Sequence, residues 1–188
     1  MRKIPQELDN PIDNLILSGC TDSLMDKLYK MGVTPNMITT VGNIVRGLSI
    51  YFLFNGQKGL FVLFYIFGYY FDCLDGHFAR TYKMCSVFGD FYDHISDITF
   101  YAFLIYYVFF CSSLVGSVYF NRVAILFIVM GILMFTHIGC QQTHYGSNGN
   151  EYMDICKNIC GKSEWLHWTK YFGCGTNILF TSALAYIF

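Results

Sequence analysis

The stretch DCLDGHFARTYKMCSVFGDFYDHISD, residues 72–97, decides how this chain is organised. Within 26 positions it contains five aspartates: Asp72, Asp75, Asp90, Asp93 and Asp97. The runs on either side, FVLFYIFGYYF and ITFYAFLIYYVFF, carry no charge. Carboxylates held between apolar segments lose their hydration, so they need a compensating partner. The pattern therefore indicates a polar site between two apolar helices.

The whole chain is more apolar than an ordinary soluble protein. Of its 188 residues, 54% are hydrophobic and 13% are charged, whereas soluble domains have about 25% charged residues. A net charge of −1 gives no general attraction to nucleic acid, so no nucleic-acid partner is expected. The composition predicts an integral membrane protein whose partner is the lipid bilayer.

Five apolar segments approach the length of about 20 residues that a membrane span needs. They lie near 36–55, 59–80, 89–112, 119–139 and 171–188, and the last is short. A sixth span would have to lie within 140–170. The expected fold is all-α, a polytopic bundle of five to six transmembrane helices. We expect a single membrane domain over 1–188, with a surface-helix region over 1–34 and the bundle over 35–188.

Residues 10–33 combine apolar and charged side chains at helical spacing. Leu24, Leu28 and Met31 share one face, which predicts an N-terminal amphipathic helix lying on the membrane surface. A short soluble cap helix is the alternative. Thr34 and Pro35 then supply a cap and a first-turn residue for the start of the first span.

The basic residues are distributed unevenly between the two sides of this bundle. Nine lie on the side of the N-terminus, and only Lys58 and Arg122 lie on the other. The positive-inside rule then predicts a multi-pass protein whose N-terminus and aspartates face the cytosol. Both the endoplasmic reticulum and the plasma membrane are compatible with this topology.

The aspartates are spaced so that they can meet in one place. Asp72 and Asp75 are three residues apart, and Gly89, Asp93 and Asp97 follow one another at intervals of four, so each set shares a helix face. A tight return between the two helices brings four carboxylates together. Divalent cations relieve their repulsion, and a site with only oxygen ligands favours Mg²⁺, Mn²⁺ or Ca²⁺.

Small residues and one arginine accompany the carboxylates. Gly76, Ala79 and Gly89 leave room for a substrate to approach the backbone, and Arg80 offers a fixed fork for a phosphate. This combination indicates a pocket for a metal-bound diphosphate. A spare carboxylate there can deprotonate an attacking alcohol.

These residues also match a known motif. The string resembles the signature of the CDP-alcohol phosphotransferases, Asp-x2-Asp-Gly-x2-Ala-Arg-x8-Gly-x3-Asp-x3-Asp, with all eight specified positions and every gap in place. The resemblance implies transfer of a phosphoalkyl group from a CDP-alcohol donor to an alcohol acceptor, with release of CMP. It also implies two bound divalent ions, Mg²⁺ or Mn²⁺, and a homodimer.

The resemblance assigns a role to each motif residue. Asp72, Asp75 and Asp93 would bind metal, and Asp97 would contact the second metal and act as the catalytic base. The residues that would line the CDP pocket are Gly76, Ala79, Arg80 and Gly89.

Two subfamilies suggest different acceptors. LDGHFAR, residues 74–80, looks like the LDGHAAR of phosphatidylinositol synthases, which transfer a phosphatidyl group from CDP-diacylglycerol to inositol. FYDHISD, residues 91–97, is similar to the FDHGCD of choline/ethanolamine phosphotransferases, which use CDP-choline or CDP-ethanolamine and diacylglycerol. Those enzymes are about twice as long, so we favour inositol.

A different class, a non-catalytic membrane cation-binding or transport protein, can use the same carboxylates. Transport pathways usually place acidic residues near mid-bilayer, in broken helices. Here the aspartates lie at helix ends beside Arg80 and Lys83, which favours phosphate chemistry.

Arg46 and the cysteines are the remaining unusual residues. A charge within a span is costly, so Arg46 is expected to face the interior and meet an acceptor or an aspartate, or else to snorkel towards the interface. The eight cysteines contain no CxxC pair. We expect them to be small apolar residues or thiols rather than a disulfide or a zinc site.

Overall fold

The computed structural model describes residues 4–19, 22–112, 115–145, 160 and 162–187. Within these ranges the chain is helical and has no strand, which confirms the all-α class. The helices are α1 Pro11–Ser18, α2 Asp22–Lys30, α3 Pro35–Phe54, α4 Lys58–Thr81, α5 Val87–Tyr106, α6 Phe120–Tyr145 and α7 Cys174–Ile187. A π-helical turn, Tyr107–Cys111, extends α5, and short helical turns over 163–172 precede α7.

Four helices are long and apolar enough to cross a membrane: Pro35–Phe54, Lys58–Thr81, Val87–Cys111 and Phe120–Tyr145. The described residues thus contain four such helices, where five to six were expected. The fifth candidate, α7, has 14 residues and is about 21 Å long, which is short of a hydrocarbon core of about 30 Å. Most of 140–170, where a sixth span was considered, lies outside the described residues.

The N-terminal region forms two short helices rather than one long surface helix. Met31, predicted to belong to the apolar face, is 77% exposed, whereas Met25 of α2 is 1% exposed. Met25 packs in a cluster with residues of α3 and α4, namely Ile38, Leu74 and Phe78. Leu28, which was also predicted for the apolar face, packs against this cluster, so α2 directs Met25 and Leu28 towards the bundle.

Local capping explains where the two central helices begin. The Thr34 hydroxyl accepts a hydrogen bond from the Met37 N–H at 3.4 Å, with Pro35 in the first turn of α3, as predicted. At α5 the Ser86 hydroxyl accepts from the Gly89 N–H at 3.0 Å. The connection between α4 and α5 is therefore a tight return over 82–86, within which Lys83 adopts a positive φ of 55°. This return directs the aspartates of α4 and α5 towards each other.

Helices α3 and α4 pack closely because two glycines face the contact. A Cβ on Gly42 would lie 3.0 Å from the Cβ of Phe71, and a Cβ on Gly68 would lie 2.5 Å from the Cγ of Arg46. Small residues of this kind let membrane helices approach. The close approach carries the polar residues of α3 up to the aspartates of α4.

Of the two apolar clusters among the described residues, the larger includes the N-terminal half of α4, before Asp72. It joins residues of α3, α4, α5 and α7: Leu53, Phe61, Tyr65, Tyr69, Phe100, Leu104 and Ile178. The Met25 cluster lies at the opposite end of α4, so the aspartates occupy the level between two apolar clusters.

Candidate active site

Three of the four motif aspartates have carboxylate oxygens close to one another. Oxygens from Asp72 on α4 and from Asp93 and Asp97 on α5 all lie within 4.8 Å of one another. Asp75 is 5% exposed and turns towards α3, where the Thr39 hydroxyl donates a hydrogen bond to its Oδ2 at 2.5 Å. The helix faces predicted from the spacing are therefore brought together, and α3 supplies a partner to the fourth carboxylate.

Arg46 of α3 links two of these aspartates. Its Nη1 lies 2.5 Å from Oδ1 of Asp97, and its Nη2 donates to Oδ1 of Asp72. The residue is 7% exposed, so its charge is held inside the bundle. The prediction that Arg46 meets an interior aspartate is confirmed, and the snorkelling alternative is not observed.

One buried oxygen of Asp93 bears on whether this carboxylate cluster fits a divalent cation. Its Oδ1 is buried and has no hydrogen-bond partner among the described residues. A buried acceptor without a partner costs about 1–3 kcal/mol. A hard divalent cation among the oxygens of Asp72, Asp93 and Asp97 would supply that partner, and the ligand set contains only the oxygens that Mg²⁺ and Mn²⁺ prefer.

A cavity of about 450 Å³ opens beside the aspartates. Its volume lies within the range of small-molecule sites. Asp75 and Asp93 form part of its wall. The wall also contains every residue predicted to contact CDP: Gly76, Ala79, Arg80 and Gly89.

The two motif glycines border polar groups of this cavity. A Cβ on Gly76 would lie 3.1 Å from the Nη1 of Arg80, and a Cβ on Gly89 would lie 3.0 Å from the Oδ1 of Asn36. Side chains at these positions would fill the space next to the Arg80 guanidinium and the end of α3. The glycines therefore keep the cavity open beside its basic and polar wall.

Helices α3 and α6 contribute wall residues that sequence reasoning missed. Asn36 and Thr39 of α3, and Gln142 and Tyr145 of α6, line the same cavity. On α3 a signal existed, because polar residues recur along one face of this apolar helix at Asn36, Thr39, Asn43 and Arg46. On α6 no local pattern marks the two wall residues.

The expectation that the cysteines form no disulfide is wrong for one pair. Cys140 of α6 and Cys160 are joined by a disulfide across 20 residues, with their Cα atoms 4.9 Å apart. The described cysteines outside this pair form no disulfide: Cys73, Cys85, Cys111 and Cys174. Cys20 and Cys156 lie outside the described residues. The pairing arises because the chain returns to the end of α6, which no short spacing indicates.

Comparison with known protein families agrees with this site. The model of the family described as CDP-alcohol phosphatidyltransferase matches residues 32–164, which include α3 to α6 and all four motif aspartates. No curated protein and no solved structure matches the chain significantly. The match spans well over half of the chain and favours an enzyme over the transport alternative. The chain belongs to the CDP-alcohol phosphatidyltransferase family, whose members are membrane transferases of substituted phosphate groups.

Proposed function

We propose that this protein transfers a phosphatidyl group from CDP-diacylglycerol to a small polar alcohol, with inositol as the favoured acceptor, and releases CMP. One observation carries the proposal. Two motif carboxylates, Asp75 and Asp93, line a single cavity of about 450 Å³ together with all four residues expected to contact CDP, and oxygens of Asp72 and Asp97 lie within 4.8 Å of an oxygen of Asp93. A cytidine diphosphate group needs such a combination of open backbone, basic charge and metal-binding oxygens.

Asp72, Asp75, Asp93 and Asp97 are the proposed ligands of two divalent ions, Mg²⁺ or Mn²⁺. When bound, these ions neutralise diphosphate oxygens and make the phosphorus easier to attack. Two observations support this assignment: the Oδ1 of Asp93 lacks a hydrogen-bond partner among the described residues, and oxygens of Asp72 and Asp97 lie close to Asp93. Asp75 is held by Thr39 at the cavity wall, where it can complete the ligand set.

The donor is proposed to bind along Gly76, Ala79, Arg80 and Gly89. The small residues give its nucleotide access to the helix backbones, and the Arg80 guanidinium attracts the diphosphate. Because Arg80 lies beside Gly76 at the aspartate end of α4, its charge is close to the carboxylate cluster. This arrangement orients the donor with its phosphates towards the aspartates.

Asp97 is the proposed general base. It takes the proton from the acceptor hydroxyl as that oxygen forms a bond to the phosphorus of the phosphatidyl group. The bond between this phosphorus and the oxygen of CMP breaks, and CMP leaves with the electron pair. Asp97 stands next to Asp72 and Asp93, so a proton acceptor lies within the same cluster that would bind the metals.

The uneven distribution of basic residues supports a site that faces the cytosol, with the protein embedded in the bilayer. Resemblance to the family supports a homodimer as its assembly. An alternative reaction, transfer of phosphocholine or phosphoethanolamine from the CDP-alcohol to diacylglycerol, is favoured by FYDHISD at 91–97.

The decisive experiment measures CMP release by purified protein in detergent or liposomes. CDP-diacylglycerol is supplied with inositol, serine, glycerol 3-phosphate or no acceptor, and CDP-choline or CDP-ethanolamine with diacylglycerol runs in parallel. We expect CMP release that requires inositol and Mg²⁺ or Mn²⁺. We expect Asp93→Asn to abolish this release. Release only with diacylglycerol would establish the alternative, and no release with any pair would reject both.

A further inference from the structure

Arg46 is a charged residue that the family motif does not include, yet it contacts the centre of the site. It lies in the spanning helix α3, and its side chain is 9% exposed. Its guanidinium binds one oxygen of Asp72 on α4 and one of Asp97 on α5. Arg46 therefore joins three helices through the carboxylates proposed to act on the substrate.

The surroundings of Arg46 hold it in this place. Its Cγ occupies the space that a Cβ on Gly68 would need, at 2.5 Å from that Cβ position. On the other side its guanidinium carbon lies 6.0 Å from the centre of the Phe100 ring on α5. The Arg46 side chain therefore passes over Gly68 and ends between two carboxylates, and these contacts fix its position.

Arg46 contacts the cluster without lining the nucleotide cavity. Asp75 and Asp93 line that cavity, whereas Arg46 does not. Together with Asp72 and Asp97 it lines a separate small cavity of about 40 Å³ among the aromatic residues of the core. Arg46 also lines a cavity of about 420 Å³ between α3 and α5, and in neither of these places does it occupy the wall of the nucleotide cavity.

This position makes Arg46 an internal counter-charge for the cluster. Carboxylates whose oxygens lie within 4.8 Å repel one another when no cation is present, and Arg46 is the positively charged group observed in ion pairs with them among the described residues. A divalent cation held by Asp72 and Asp97 would have the guanidinium as a close neighbour of like charge. Arg46 and the cation therefore compete for the same carboxylates.

We propose that Arg46 is a resident counter-cation: it neutralises Asp72 and Asp97 before a divalent cation binds, and it weakens the binding of that cation. The inference rests on the metal site of the proposed function. The positive charge of Arg46 would allow the aspartates to assemble within an apolar bundle when no metal is present. Its repulsion of a bound cation would keep that cation exchangeable.

The test is direct Mn²⁺ binding to the purified full chain, measured by electron paramagnetic resonance of free Mn²⁺. Arg46→Met keeps an unbranched stem of four side-chain atoms and removes the charged guanidinium. We expect this variant to bind Mn²⁺ roughly tenfold more tightly or better than the wild type, because the competing charge is gone. In a metal chelator it should unfold at a lower temperature, because the carboxylates have lost their counter-charge.

Two variants serve as controls. Arg46→Lys keeps the positive charge, so its Mn²⁺ affinity should stay within roughly threefold of the wild type. Asn43→Ala alters the preceding turn of α3, where the side chain bonds Ser96 at 2.8 Å, and it should leave Mn²⁺ affinity unchanged. If Arg46→Met does not fold, Gly68→Ala displaces the Arg46 side chain at constant charge and should also tighten Mn²⁺ binding.

Equal or weaker Mn²⁺ binding by the folded Arg46→Met variant, or by Gly68→Ala in its place, would overturn the proposal, because a purely structural arginine gives that result. A wild type that binds no Mn²⁺ would overturn it too, together with the metal site. A wild type that binds Mn²⁺ but releases no CMP with any substrate pair would reject the proposed function, while the order of Mn²⁺ affinities would still decide the role of Arg46.

Discussion

At the scale of single residues, four identical side chains acquire different surroundings. Asp75 accepts a hydrogen bond from Thr39, Asp72 and Asp97 share Arg46, and Asp93 keeps one buried oxygen without a partner among the described residues. The carboxylate is the same in each case, so its role depends on its neighbours. This difference makes substitutions of single aspartates and of their partners informative.

Replacement of Asp97 tests the assignment of the base. Asp97→Asn keeps the size of the side chain but cannot accept the acceptor's proton, so we expect kcat to fall roughly 10²- to 10⁴-fold. Much of the Mn²⁺ binding should remain, because Asp72 and Asp93 are intact. CMP release and Mn²⁺ binding are measured on the same preparation, with the exposed Asp22→Asn on α2 as the matched control. Unchanged turnover would remove Asp97 as the base.

Replacement of Thr39 tests the hydrogen bond that orients Asp75. Thr39→Val has nearly the same shape but no hydroxyl, so the buried carboxylate loses its donor. We expect the free energy of unfolding to fall by about 1–3 kcal/mol, measured by chemical unfolding in micelles. Thr39→Ser, which keeps the donor, should retain most of the stability. Equal losses in both variants would attribute the effect to packing instead.

At the scale of helices, α1 is anchored to the bundle through a buried polar contact. The Tyr69 hydroxyl of α4 donates a hydrogen bond to Oδ1 of Asp13 at 2.6 Å, and Gly175 of α7 lies against the same carboxylate. Burial raises the pKa of Asp13 to about 7, because it disfavours the charged form more than the hydrogen bond from Tyr69 favours it. The contact between α1, α4 and α7 is therefore sensitive to pH.

The sign of this pH effect follows from the two pKa values of Asp13. The folded state keeps the proton up to a pH of about 7, whereas the unfolded chain releases it near pH 3.8. The contribution of Asp13 to stability is therefore greatest below about pH 4 and falls as the pH rises towards 7. Asp13→Asn should remove this dependence, so the variant should gain stability relative to the wild type, by a few kcal/mol at most, as pH rises. Thermal unfolding of both proteins from pH 4 to 8 measures the difference, and parallel curves would contradict it.

At the scale of the whole molecule, the site depends on a helix that has few buried residues. Within α5, Phe100 and Leu104 are the buried residues, although this helix carries both Asp93 and Asp97. Helices α3 and α4, by contrast, pack closely at Gly42 and Gly68. A cation between Asp72 and the two aspartates of α5 would therefore add a link between α4 and α5.

Metal removal should consequently lower the stability of the folded bundle. A cation present at a hundred times its Kd stabilises the folded state by about 2.7 kcal/mol. We expect Mn²⁺ or Mg²⁺ to raise the unfolding temperature in detergent, a chelator to reverse the rise, and Asp93→Asn to abolish it. Asp22→Asn should behave as the wild type. A rise that persists in Asp93→Asn would contradict binding at this cluster.

Much of the site could be read from local spacing. The intervals within 72–97 place the aspartates, Gly76, Ala79, Arg80 and Gly89 on facing surfaces of two helices, and the Ser86 cap with its tight return makes those surfaces meet. This inference works because the periodicity of a helix fixes which residues share a face, whatever the rest of the chain does.

The sequence by itself thus determined the helical class, the membrane setting and the aspartate motif, all of which depend on composition and short intervals. Only the tertiary structure decided the partners of Arg46, which lie 26 and 51 residues away, and the Cys140–Cys160 pairing. It also decided that α6 forms a cavity wall and that α7 has only 14 residues. The partners of Arg46, the disulfide and the cavity wall depend on how distant parts of the chain pack together, which a local pattern does not encode.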